Sequence, residues 1–127
     1  MKAIHQILLL ILGGAFGTLL RFLVYQFADK HFDKGFPWGT LIVNLSGSFI
    51  IGLLWAVFEK TSIPPAVRLL VFVGILGSFT TFSTFAFDSF SFLQQGQIKM
   101  LIMNILMNNI GGLVLCFCGY YIIRFLT

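Results

Sequence analysis

Residues 74–85, GILGSFTTFSTF, combine two glycines, five hydroxyl side chains and three phenylalanines with no charge. Gly74 and Gly77 weaken a helix. Ser78, Thr80, Thr81, Ser83 and Thr84 compete with its backbone ladder. Together they predict a helix broken near Gly77–Thr80. Such a break suits ions: carbonyls ending the first half attract a cation, and amides opening the second attract an anion. Past the break, helical spacing puts Thr80, Ser83 and Thr84 on one face as a column of donors. Phe82 and Phe85 share the opposite face. A phenylalanine pair at this spacing ordinarily packs a core. The alternative uses the positive edge of each ring. Two edges would hold a small hydrated anion that a Lys or Arg would bind too tightly to release.

Other polar residues fall inside apolar runs, where they normally face protein or a water path. Asn44, in GTLIVNLSG, either clasps a neighbouring helix or lines such a path. Asn104 and Asn108 lie four apart and share a face; Asn109 points elsewhere. Arg21 near the end of the first run either snorkels or caps carbonyls of a neighbouring helix, and the structural role is favoured.

These residues need membrane helices to position them. The 127-residue chain is 58% hydrophobic and 9% charged, with mean hydropathy +0.99; a soluble domain keeps about a quarter of its residues charged. Residues 3–20, 35–58, 69–87 and 100–123 carry no charge. Each run approaches the roughly 20 residues that a helix needs to cross a bilayer. The spans read as 3–27, 38–58, 66–93 and 99–125, a single four-helix transmembrane domain with no room for a soluble one. Strand-built barrels are excluded by the unbroken apolar runs. A signal peptide is disfavoured, because no cleavage-type site follows and the first apolar stretch continues past Arg21. Trp38, Trp55, Tyr25, Tyr120 and Tyr121 fall at span ends as an interfacial belt. Prolines 64 and 65 suit the start of the third helix.

Lysines and arginines are nearly balanced between the two sides: Lys2, Lys60, Arg68 and Arg124 against Lys30, Lys34, Lys99 and a snorkelling Arg21. Orientation follows an excess of such charges, so this chain is expected to insert both ways round. Gly13 with Gly17, and Ser48 with Gly52, are small-xxx-small steps for close helix contact, within one subunit or between two. Cys116 and Cys118 read as small apolar fillers. His5 and His31 join no metal-ligand group. The net charge of +4 is spread out and offers nucleic acid no patch.

The motifs GGAFGTLLR (13–21), GTLIVNLSGSFIIG (39–52) and GILGSFTTFSTFAFD (74–88), in this order with an Asn- and Gly-bearing fourth helix, resemble those of Fluc/CrcB fluoride channels over the whole chain. The resemblance implies an antiparallel, dual-topology homodimer in a bacterial plasma or inner membrane, with two pores along its interface. It implies passive, selective fluoride efflux from the cytoplasm and resistance to fluoride toxicity, and no enzymatic activity. It assigns Phe82 and Phe85 to ring edges on the fluoride path, Ser83 and Thr84 to a hydroxyl track, and Asn44 to the pore. Carbonyls of Gly77 and Thr80 from both subunits would hold a central sodium ion. Arg21 matches the family's first-span Arg, and Asp88 an acidic position near a vestibule. Gly112 falls where some relatives carry a Ser, and Asn108 is assigned to the lining in its place. A two-fold axis through the break would bring four carbonyls together, two from each chain.

Two other functions compete. A small four-helix drug/proton antiporter needs a carboxylate deep in the first span, and the first span has none. A non-transporting scaffold explains the small-residue steps but not the hydroxyl-rich break.

Overall fold

The computed structural model describes residues 2–126. The side chain of Lys2, counted above in the charge balance, lies outside the described residues. Among the described residues all regular structure is helical. Four helices are long and apolar enough to cross a membrane: Ala3–His31, Trp38–Lys60, Pro65–Gln94 and Ile98–Leu126. Each reaches beyond its expected apolar span at one end or both. The first, for example, continues to His31, whose Nδ1 lies 2.8 Å from the Phe27 carbonyl oxygen.

The third span is two helices in line. Pro65 occupies its first position, where a missing N–H costs nothing. A wide, π-type segment, Leu69–Leu76, leads into a last helical turn, Gly77–Phe79. Thr80 (φ −81°, ψ 160°) and Thr81 (φ −149°, ψ 118°) are extended. The second half runs Phe82–Gln94. The break therefore lies at the end of the expected Gly77–Thr80 stretch and includes Thr81. Gly77 itself stays helical (φ −63°, ψ −31°). Weak propensity does not break a helix that tertiary contacts hold; of the five hydroxyl residues only Thr80 and Thr81 leave it.

The turn to the fourth helix is tight. Gly96 adopts φ +69°, and its N–H bonds the Leu93 carbonyl while that of Gln97 bonds the Phe92 carbonyl (3.1 and 2.9 Å). This pair of bonds closes a helix on a left-handed residue, the conformation glycine adopts without strain.

Packing follows the small residues. The first helix meets the first half of the third span: a methyl added at Gly13 would stand 2.9 Å from Gly74 Cα, and one at Gly17 would strike the Ile75 carbonyl and Ser78 Oγ. The second and fourth helices cross as closely, Gly52 against the Cys116 carbonyl and Gly119 against that of Phe49. In lipid this close approach supplies dispersion contacts that larger residues would forbid. Gly13, Gly17 and Gly52 thus serve packing inside one chain. A compact apolar cluster of Phe36, Leu41 and Phe92, flanked by Trp38, Leu45 and four further residues including Met103, closes one end. Large apolar residues along the outer faces, such as Leu12, Phe22 and Phe117, remain exposed as surface for lipid or another chain.

Candidate ion path

A broken helix inside a bilayer must find partners for its freed backbone groups. Here the second helix supplies them. Asn44 Nδ2 donates to the Thr81 carbonyl (3.0 Å), and the Thr81 N–H donates to Asn44 Oδ1 (2.8 Å). One side chain satisfies both groups of one residue. Gly47, one turn along, leaves room for the Thr80 methyl, which an added Cβ would strike.

Thr81 is buried and caps the second half of the span. Its Oγ1 accepts from the Thr84 N–H (3.3 Å) and donates to Thr84 Oγ1 (3.0 Å), with Ser83 Oγ at 3.4 Å. A threonine before a helical run, three residues ahead of a second hydroxyl, is a readable start signal. The motifs alone give Thr81 no role beyond weakening the helix. Its exchange with Asn44 is not readable from them, since it joins residues 37 apart.

Thr80 does not join the column expected with Ser83 and Thr84. Its hydroxyl donates to the Leu76 carbonyl (3.0 Å) and closes the first half of the span. Ser83 is exposed and Thr84 half-buried.

Asn44 Nδ2 also donates to Asn108 Oδ1 (2.9 Å), so the second and fourth helices share one polar seam. Asn104 and Asn108 do lie together (Nδ2 to Oδ1, 2.9 Å). Asn109 takes no part in this pair: its Nδ2 donates to the Ile105 carbonyl (2.8 Å), although the residue borders the inner cleft. Asn104 is fully buried and reaches Ser89 Oγ (3.0 Å).

Two clefts flank this seam. The inner one, about 310 Å³, is lined by Asn44, Gly47, Ser48, Ile51, Phe72, Leu76, Gly77, Thr80, Thr81, Phe82, Phe85, Asn108 and Asn109. Among the described residues, no Asp, Glu, Lys or Arg stands in its wall. The Phe82 and Phe85 rings stand 5.4 Å apart at 56°. Phe85 is 8% exposed and Phe82 75%, so one ring is seated in the chain and the other projects from it. The second cleft, about 560 Å³, opens near the loop of residues 33–37 and is lined by Tyr25, Thr40, Thr84 and Asp88 among others. There the Thr40 hydroxyl donates to Asp88 Oδ2 (3.1 Å) and lies 3.0 Å from the Tyr25 hydroxyl. Three helices are tied at this mouth.

Six of the residues assigned from the sequence therefore gather at the inner cleft: Gly77, Thr80, Asn44, Asn108, Phe82 and Phe85. Thr84 and Asp88 belong to the outer one; Ser83 and Arg21 line neither. Arg21 is half-buried and, among the described residues, caps no carbonyl.

Four helices able to cross a membrane, with an uncharged polar seam at a helix break and a cleft on either side, define a multi-pass membrane protein. The chain belongs to the CrcB-like (Camphor Resistance) protein family, whose model matches residues 8–120. It is 41% identical to the fluoride-specific ion channel FluC of Parabacteroides distasonis, over 90% of this chain and 89% of that one. It is 43% identical to that of Aquifex aeolicus (86% and 89%) and 40% identical to that of Shewanella amazonensis (94% and 96%).

Proposed function

We propose that this protein is a fluoride-selective channel that lets fluoride leave the cytoplasm passively, as an antiparallel homodimer with two pores. The carrying observation is the uncharged inner cleft, where a ring pair meets the helix break, together with relatives that are fluoride-specific channels. Fluoride enters at the outer cleft, where the Thr84 hydroxyl supplies a donor, and passes the break toward the edges of Phe82 and Phe85. Hydroxyls and ring edges replace part of its water without a cation that would trap it.

The projecting Phe82 supports the reading of a second chain: a ring three-quarters exposed at the rim of a polar cleft is free to meet one. The donors at the break also suit the sodium ion that the resemblance implies. Helix-terminal carbonyls lack intrahelical donors, the Thr80 hydroxyl is already engaged, and Gly77 is exposed. Gly77 and Thr80 thus offer neutral oxygens to a hard monovalent cation, two from each chain. Bound there, the ion would hold the two breaks together and add positive potential.

Fluoride-loaded liposomes carrying the purified protein release fluoride to an electrode once a potassium ionophore removes the opposing potential. Chloride loaded in the same way stays inside. Chloride release at an equal rate overturns the selectivity, and no fluoride release overturns the channel. The balanced Lys and Arg of the two sides give a second expectation. A reporter fused to the C-terminus is found on both faces of the membrane, in comparable amounts; signal from a single face removes the dual topology.

A further inference from the structure

Behind the inner cleft, three asparagines and a serine form an unbroken chain of hydrogen bonds. The Thr81 N–H donates to Asn44 Oδ1 (2.8 Å). The two Asn44 amide hydrogens go to the Thr81 carbonyl and to Asn108 Oδ1 (3.0 and 2.9 Å). The two on Asn108 go to the carbonyl and Oδ1 of Asn104 (3.0 and 2.9 Å). Asn104 Nδ2 donates to Ser89 Oγ (3.0 Å), and Ser89 donates to the Phe85 carbonyl (2.9 Å). Both ends of the chain lie on the second half of the third span, at its cap and one turn inside it.

An amide nitrogen carries two hydrogens, and on Asn44 and Asn108 both are taken. Neither has an N–H left for a passing anion. The order of the chain is also fixed. Turning the Asn104 amide over would set its NH₂ against that of Asn108, so each amide dictates the next. Asn104 is fully buried, where an unmade hydrogen bond is costly. By contrast Thr84 Oγ1 accepts from Thr81, and its own hydrogen has no acceptor among the described residues.

We propose that Asn104 is a positioning residue for conduction, which with Ser89 orients Asn108 and Asn44, and through them the Thr81 cap and the turn bearing Phe82 and Phe85. Asn44 and Asn108 then border the path as braces, and the anion takes its hydrogen bonds from hydroxyls such as that of Thr84. This rests on the fluoride-channel reading.

The test observes the amides and the flux separately. Protein labelled with ¹⁵N-asparagine in lipid bicelles gives side-chain amide signals whose exchange with D₂O is followed. Asn104→Leu speeds exchange at Asn44 and Asn108 by roughly tenfold or more and slows fluoride efflux by a similar factor, while the dimer survives gel filtration. Ser89→Ala moves both in the same direction by less. Asn104→Leu with Asn44→Leu conducts no more slowly than the slower single variant, because both act through one chain. In the native protein, sodium fluoride leaves the Asn44 and Asn108 amide proton shifts where equimolar sodium chloride leaves them.

Unchanged exchange at Asn44 in the variants, independent losses that multiply in the double variant, or fluoride-dependent shifts of these amides each overturn the proposal. Should Asn104→Leu fail to fold, Ser89→Ala decides. Native protein that conducts no fluoride defeats the channel reading and the role in conduction with it; the exchange measurement still judges the chain of amides.

Discussion

Phe82→Ile slows fluoride efflux from liposomes by about two- to tenfold and leaves the protein assembled. The size follows from what a ring edge offers an anion and an isoleucine does not. Ring electrostatics are worth roughly 0.5–1.5 kcal/mol beyond area burial in aromatic pairs, which sets the scale for one ring edge facing an anion, and each ~1.4 kcal/mol on the barrier is a factor of ten in rate. Phe82 is the cleaner position because it is 75% exposed within its own chain. Little of the subunit's packing depends on it, so a loss of flux reports on the path. Phe85→Ile slows flux to the same degree but at 8% exposure also leaves a small internal void, with a stability cost of about 1–2 kcal/mol. Melting in detergent separates the two effects. Flux equal to the native rate in both variants reduces the pair to packing.

Gly17→Ala destabilises the fold by about 1–3 kcal/mol, and Gly17→Val prevents assembly. The space a side chain would need is held by the Ile75 carbonyl and Ser78 Oγ of the third span. A carbonyl in a helix cannot rotate away, so the first helix must back off along its length. Gly14 provides the internal control: among the described residues nothing lies within 4 Å of a methyl there. Gly14→Ala leaves the melting temperature in detergent unchanged or raises it slightly, as expected when alanine replaces glycine in a helix. If Gly17→Ala melts with Gly14→Ala, the two helices do not approach as described.

The gaps between charges are enough to place all four spans, because membrane helices are selected by length and hydropathy before packing acts. The break is legible in kind and displaced in position. Gly74 and Gly77 are the weakest helix formers in the stretch, yet both remain helical. Gly74 serves the approach of Gly13, which composition alone cannot say. The residues that leave the helix are Thr80, whose N–H still bonds the Leu76 carbonyl, and Thr81, whose backbone Asn44 answers through hydrogen bonds between distant parts of the chain. Asn104 and Asn108 are readable as a pair from their spacing. Their joining to Asn44 on one side and Ser89 on the other is not, since it depends on how three helices cross. Thr84 and the ring pair are expected on opposite faces, and they do border different clefts.

The hydrogen-bonded seam of Asn44, Asn104, Asn108, Ser89 and Thr81 is composed of dipoles, without one ionisable group among its members. A membrane potential does work on net charge, added salt screens net charge, and acid acts by titrating a group. None of the three has a handle on this seam. The hydrogen bonds of this seam are therefore expected to persist across changes of pH and ionic strength.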